Sequence, residues 1–279
     1  MATERPDGKR LRNPRPARPT VATGGGLDAV VMAGGKDDPR LLAAGAAQHR
    51  ALIEVGGRPL LEWGLEALRT SAMVETIVLV SAPVVRAAIS SQLYDQFVVA
   101  GGSLIENMLL GSAYVARDRP MLVIHGDLPA LTPESLDDFV MRSLELKVAL
   151  TLPIITREAN ERQFPGTTRT YIRLREGRFT AGNGVVLGPG FLERHGAVIE
   201  QVYRGRKSPV RLARMLGLGT MIRWLTGRLS VRDIEAKASQ ILGAPVAAVI
   251  SEYAELGFDI DKPSDLEAAR RWHDRQSTP

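Results

Sequence analysis

Asp127 is the residue whose setting points most directly to chemistry. It follows the apolar run Met121-Leu122-Val123-Ile124 and the pair His125-Gly126, and it precedes Leu128-Pro129. An acid just past a buried strand lies at the open end of a sheet. A hard cation such as Mg2+ takes one or two carboxylates together with substrate phosphates. A turn or helix cap is the competing reading of a lone Asp in such a loop. A second oxygen ligand has candidates in Asp259 and Asp261, within Phe258-Asp259-Ile260-Asp261-Lys262-Pro263-Ser264-Asp265-Leu266, and in the amide oxygen of Asn183. Asp265 suits the first turn of a closing helix, where the dipole favours an acid.

Met32-Ala33-Gly34-Gly35 is the second feature. Glycines without a β-carbon let backbone N–H groups approach phosphate oxygens. Lys36, Arg40 and Arg50 follow and supply charge to neutralise a triphosphate. A tight turn is the alternative, and neither G-x-x-x-x-G-K-[ST] nor G-x-G-x-x-G is present. His125 stands beside Asp127 either as a catalytic group or as a side chain turned into the fold, and inward burial is the expectation. His49, His195 and His273 form no metal-ligand spacing. Without cysteine there is no disulfide framework, thiolate site or cysteine nucleophile. No G-x-S-x-G elbow occurs, which argues against a serine hydrolase.

The elements that must carry these groups read as alternating strands and helices. Strands are expected at 28–33, 51–55, 75–80, 97–100, 121–124 and 148–155, with helices at 60–70, 82–93, 103–116 and 132–146. That alternation specifies a parallel α/β sheet, whose ligand crevice lies at the carboxyl ends of the strands. Gly34-Gly35, Gly101-Gly102 and Gly126-Asp127 all fall there, so a phosphate-bearing ligand is expected. Residues 165–183 alternate like strands, 184–188 read as a further strand and 191–242 as mostly helical. Residues 245–250 read as a late strand, and 264–273 as a closing helix capped by Ser264.

The chain has 279 residues and a formal charge of +5. Residues 1–26 carry six basic and two acidic residues, and 201–240 carry nine and two, so the rest of the chain sums to −6. Residues 1–26 read as a disordered basic tail. Residues 201–240 read as basic amphipathic helices, either packed with their arginines outward or meeting an anionic surface. Three Trp, five Tyr and six Phe, without clustering, argue against single-strand nucleic-acid binding. No apolar run is long enough to span a membrane and no secretory signal is apparent, so a cytoplasmic location is expected.

Four segments in order resemble the MobA-like (molybdenum cofactor guanylyltransferase-like) NTP transferases, relatives of the sugar-phosphate nucleotidylyltransferases. They are Val31-Met32-Ala33-Gly34-Gly35, Ala51–Leu60, Gly126-Asp127-Leu128-Pro129 and Asp259–Leu266. The resemblance implies a Rossmann-like, glycosyltransferase-A-type three-layer α/β fold with a mostly parallel sheet over 27–279, interrupted by a basic helical insertion at about 191–245. It implies that Ala33, Gly34 and Gly35 contact a nucleotide, with Gly102, Ser103 and Asn107 on a second nucleotide-side loop. Arg40 and Arg50 would meet the β and γ phosphates, and Asp127 would bind Mg2+. The site is completed by Asp261 in some relatives and by Asn183 in others, and both stay open. The implied reaction moves a nucleotidyl group from an NTP, of GTP or CTP type, to a phosphorylated small molecule with release of pyrophosphate. A non-catalytic nucleotide or nucleotide-sugar binder and a glycosyltransferase are the rival readings. This chain departs from the family in three places. The loop from Gly35 to Arg40 is one residue longer, Arg50 stands where the family has lysine, and an arginine common in relatives is missing from 101–107.

Overall fold

A computed structural model describes residues 26–35, 37–205 and 217–277. Lys36, the tail before Gly26 and residues 206–216 of the basic segment lie outside the described residues. The order is β1 (Leu27–Ala33), α1 (Pro39–Gly45), a 3-10 turn (Arg50–Leu52), β2 (Glu54–Val55), β3 (Arg58–Pro59), α2 (Leu60–Thr70), β4 (Val74–Ser81), α3 (Pro83–Ala88), a 3-10 turn (Ser91–Leu93), β5 (Gln96–Val99), α4 (Leu104–Ser112), β6 (Met121–His125) and α5 (Pro133–Leu146). Then follow β7 (Leu150–Thr156), α6 (Arg157–Gln163), β8 (Ile172–Leu174), β9 (Gly177–Ala181), β10 (Gly184–Leu187), α7 (Phe191–Gly205), α8 (Leu218–Leu225), α9 (Val231–Leu242), β11 (Val246–Ser251), a 3-10 turn (Ala254–Gly257) and α10 (Pro263–Ser277).

The sheet runs β5-β4-β1-β6-β10-β7, with β9 and β11 also paired to β7 and β8 on the far side of β9. β5, β4, β1 and β6 are mutually parallel, β11 is parallel to β7, and β10 and β9 run against their neighbours. The sheet is therefore mixed and mostly parallel, with helices on both faces, as expected. Alternation along the central strands sorts the core into two layers. Leu27, Ala29 and Val31 of β1, Ile77 and Leu79 of β4, and Leu122 and Ile124 of β6 join residues of α2, α5 and α10 on one face. Val30, Val78, Val80 and Val123 join Ile105 and Met108 of α4 and Phe191 and Leu192 of α7 on the other. Strands covered on both faces need apolar residues at successive positions, which is why these segments read as continuous apolar runs.

Several expected boundaries move. The run 51–55 is a 3-10 turn entered through His49, whose Nδ1 accepts the Ala51 N–H at 3.1 Å, and only Glu54–Val55 is strand. The helix expected over 82–93 stops at Ala88, because Ile89 is extended and Ser90 caps a separate turn through the Gln92 N–H. The helix expected to reach 116 ends at Ser112, and the Ala116 N–H goes to the buried carboxylate of Asp28 at 2.8 Å. The closing helix begins at Pro263, so Ser264 lies inside its first turn. The capping is done by Asp265, which accepts the N–H groups of Asp261 and Lys262, each at 3.2 Å. Within 165–183 only β8 and β9 are strands. No described helix is long and apolar enough to cross a membrane.

Glu255 illustrates how the late turn is fixed. It is buried, accepting from Thr132 Oγ1 at 3.2 Å and from Gln163 Nε2 at 2.9 Å. Burial raises its pKa despite these donors. A carboxyl whose folded pKa is raised adds stability below the unfolded value of about 4.3, and that contribution is lost as pH rises through the folded value. Glu255→Gln is therefore expected to raise the urea midpoint at pH 8 and to leave it unchanged near pH 4. Equal midpoints at pH 8 would contradict this.

Candidate active site at the carboxyl edge of the sheet

Three strand ends form the floor of the site. β1 ends at Ala33, whose carbonyl accepts from Ser81 Oγ at 2.7 Å at the end of β4. The Ala100 N–H donates to the Ser81 carbonyl at 3.0 Å, which aligns the loop after β5. The Gly126 N–H donates to the Met32 carbonyl at 3.1 Å, carrying the β1–β6 ladder one step further so that Asp127 emerges beside Gly34-Gly35. Close approach needs glycine at two of these points. A Cβ on Gly34 would lie 2.3 Å from that of Ala100, and one on Gly126 would lie 2.6 Å from a Leu61 methyl and 3.0 Å from the Ala33 Cβ.

The acids arrive from the other end of the chain. Phe258-Asp259-Ile260-Asp261 buries Phe258 and Ile260 completely and puts the alternate acids toward Asp127, as an extended segment must. Phe258 stacks on Phe164 with centroids 4.0 Å apart, and the Ile260 N–H donates to the Asp127 carbonyl at 3.2 Å. Asp127, Asp259 and Asp261 consequently offer carboxylate oxygens that all lie within 4.8 Å of one another. Asp127 is 6% exposed, and its Oδ1 is buried with no hydrogen-bond partner among the described residues. A buried acceptor without a donor is costly, and a hydrogen-bond donor or a bound cation would satisfy it.

Two arginines face this charge. Arg50 Nη1 lies 2.9 Å from Asp127 Oδ2, donates to Asp261 Oδ1 at 3.0 Å and reaches the Ile260 carbonyl at 3.4 Å. Arg169 donates to Asp259 Oδ1 at 2.6 Å and to the Asp259 carbonyl at 2.9 Å. Burial opposes the charge on Arg50, but Asp127, Asp261, Asp37 and Asp259 outweigh it and raise its pKa. Asp259 is pushed up to about 6, by burial first and then by Asp127, with Arg169 pulling the other way.

Asp37 steadies Arg50 from behind. Its Oδ2 accepts the Arg50 N–H at 2.9 Å, and its Oδ1 lies 3.6 Å from Nε. His49, 4.0 Å from Asp37, has its pKa lowered by burial. The cleft between these groups is lined by Met32, Ala33, Gly35, Asp37, Arg50 and Asp127 among others.

Of the site residues expected from sequence, Ala33, Gly34, Gly35, Arg50, Asp127 and Asp261 come together here. Asn183 reaches the same edge through its backbone, its carbonyl accepting the His125 N–H at 2.9 Å. Arg40 does not join them. It lies exposed at the start of α1 and pairs with Asp38 at 3.0 Å. The second loop is engaged with itself. Asn107 Oδ1 accepts the Gly101 N–H at 2.5 Å, and Glu106 accepts from the N–H groups of Gly102 and Ser103 at 2.8 and 3.2 Å. His125 is exposed, not buried, because it is the last residue of β6 and its side chain projects beyond the core. Sequence reasoning passed over Asp37 and Arg169. Asp37 had a visible signal, an acid inside a loop read only for its cations. Arg169 had none, since its segment could not be placed without the fold.

Residues 29–173 match the MobA-like NTP transferase domain. The chain belongs to that family. It is 30% identical over 129 residues to a 2-C-methyl-D-erythritol 4-phosphate cytidylyltransferase of Frankia casuarinae, covering 46% of this chain and 47% of that protein. It is 29% identical over 111 residues to a probable molybdenum cofactor guanylyltransferase of Pyrococcus furiosus, covering 38% and 53%. The MobA-like chain thus spans about half the length of the curated relatives it matches. A hypothetical transferase from Thermus thermophilus superposes over 86% of this chain and 99% of its own, with 35% identity and a TM-score of 0.76.

The glycine floor of this MobA-like domain is open to test. Gly34→Ala forces two β-carbons together and is expected to cost about 1–3 kcal/mol, as overpacking does. The check is a lower urea midpoint with an unchanged slope, and an unchanged midpoint would show that the two loops part freely.

Proposed function

We propose that this chain is a Mg2+-dependent nucleotidyltransferase that moves a nucleotidyl group from an NTP to a phosphorylated small-molecule acceptor and releases pyrophosphate. The observation that carries this reading is the joining of two features by one side chain. The acids Asp127 (buried), Asp259 (half-buried) and Asp261 (exposed) lie beside the glycine loop, and Arg50 stands between Asp127 and Asp261. Asp127 and Asp261 would hold the metal, with Asn183 able to add an oxygen from the same edge. Bound there, Mg2+ would supply positive charge to the phosphates.

The protein's own part is to position and to stabilise charge. The backbone of Ala33, Gly34 and Gly35 would cradle the phosphates, and Lys36 and Arg50 would face their outer oxygens. Arg40 would add its charge only after leaving Asp38. Gly102, Ser103 and Asn107 would line the nucleoside side as a shaped loop, the Gly102 and Ser103 amides being already used by Glu106 and the Gly101 amide by Asn107. An acceptor phosphate oxygen attacks the α-phosphorus in line. The bond from that phosphorus to the bridging oxygen breaks, and pyrophosphate leaves with the electron pair. GTP and CTP are the favoured donors, because the curated relatives are a guanylyltransferase and a cytidylyltransferase. The basic segment 201–240 would meet an anionic surface through its cations, Arg228 standing exposed just past α8 beside the exposed apolar Ile222, Trp224 and Leu225.

Thermal-shift screening with the four NTPs and Mg2+, followed by acceptor trials read as pyrophosphate release, tests this reading. Asp127→Asn is expected to lower the rate by about 10²–10³-fold, the scale of losing one preorganised electrostatic group. Full retained turnover would remove Asp127 from the metal site. Mg2+-dependent NTP binding with no pyrophosphate release across the acceptors would favour the non-catalytic binder instead.

A further inference from the structure

We propose that Arg50 is the resident counter-cation of the acidic cluster, so that a divalent cation takes up Asp127 and Asp261 only when a polyphosphate draws the guanidinium away. The inference rests on the nucleotidyltransferase reading and adds an order of binding to it. A single nitrogen, Nη1, contacts both carboxylates, at 2.9 and 3.0 Å, and therefore sits between the oxygens a metal must share. The guanidinium cannot be cleared by losing a proton. It has to be displaced, and a metal arriving alone must break both contacts with nothing offered in return.

A phosphate changes that balance. Nη2 points the other way, toward the glycine loop, where a Cβ on Gly35 would lie 3.4 Å from it. The same planar fork thus reaches from the acids to the place where phosphate oxygens would lie. Asp37 holds the stem from two sides, through the backbone N–H at 2.9 Å and Nε at 3.6 Å, so the tip can exchange partners while its root stays fixed. Lysine is a point donor and cannot span both sites at once. Metal and nucleotide are then coupled reciprocally, each raising the affinity for the other.

The test uses Mn2+ as the probe, with binding to the intact chain followed by calorimetry and by the paramagnetic signal of free Mn2+. Without nucleotide, Arg50→Ala is expected to bind Mn2+ about tenfold tighter than the wild type, which is about 1.4 kcal/mol. Arg50→Lys should fall between them, and this conservative variant decides the matter if Arg50→Ala does not fold. Non-hydrolysable analogues of GTP and CTP should raise the wild-type Mn2+ affinity by about 5–150-fold, the usual range for coupled sites, and raise that of Arg50→Lys by less. The affinity of either variant for the analogue itself should fall. A merely structural role for Arg50 would not move the two affinities in opposite directions. Equal Mn2+ affinity in all three proteins, or none in any, overturns the proposal. Failure of all four NTPs to bind the wild type with Mg2+ would overturn the nucleotidyltransferase reading instead, and the Mn2+ comparison would still decide the role of Arg50.

Discussion

Like charges held close together at the edge of a core are the constraint around which this site is arranged. Carboxylates about 4–5 Å apart repel by roughly 3–4 kcal/mol per pair at an effective dielectric near 20, and partial burial adds to the cost. Three of them, on Asp127, Asp259 and Asp261, meet at one point. The fold sustains this by bringing in Arg50 from one side and Arg169 from the other, each within 3.0 Å of an acid. Taking either arginine away would leave buried charge uncompensated, which is far costlier than losing a surface pair. The acids therefore dictate where residues 50 and 169 must be, and with them the paths of the loops that carry them.

Those paths explain packing that would otherwise look incidental. Arg50 is aimed by Asp37, so the glycine loop is anchored to the very side chain that faces the acids. Asp261 is held by Asp265, whose carboxylate takes the backbone N–H of Asp261 itself, so the first turn of α10 fixes a site residue. Further along α10, His273 Nε2 donates to the Pro129 carbonyl at 2.9 Å and its ring lies 4.0 Å from that of Trp63. The last helix thus clamps both the loop of Asp127 and the segment carrying Asp259 and Asp261. Residues 127 and 261, far apart in the chain, are set by one element that buries an apolar face and spends its polar groups on backbone.

Much of this was legible in the sequence where the physics is local. The double-sided apolar runs mark the strands, the glycines at their carboxyl ends mark the edge, and Phe-Asp-Ile-Asp offers two candidate acids for a metal site. What the sequence could not announce was any interaction decided by a distant partner. The helix after Ser103 ends at Ser112, and past it the Ala116 N–H is taken by Asp28 of β1, a partner distant in the chain. His125 is exposed because its strand ends there, which alternation alone does not reveal. Arg169 is a site residue only because β8 and β9 fold its segment against Asp259.

The overall charge of +5 also takes its meaning from this arrangement. The surplus sits in the tail and in 201–240, whereas the described cations that face the acids, Arg50 and Arg169, are each paired. Arg50 meets Asp37, Asp127 and Asp261, and Arg169 meets Asp259. Among the described residues, cations that are already paired present little free positive charge to an approaching anion. On the proposed reading, affinity for a polyphosphate draws on exchange of partners at Arg50. On the same proposal, a ligand that carries its own divalent cation is favoured, because the acids released by Arg50 would be filled in the same event. Arginine at position 50, where the resemblance set lysine, suits that proposal, since a planar fork can remain in contact with one partner while it engages the next.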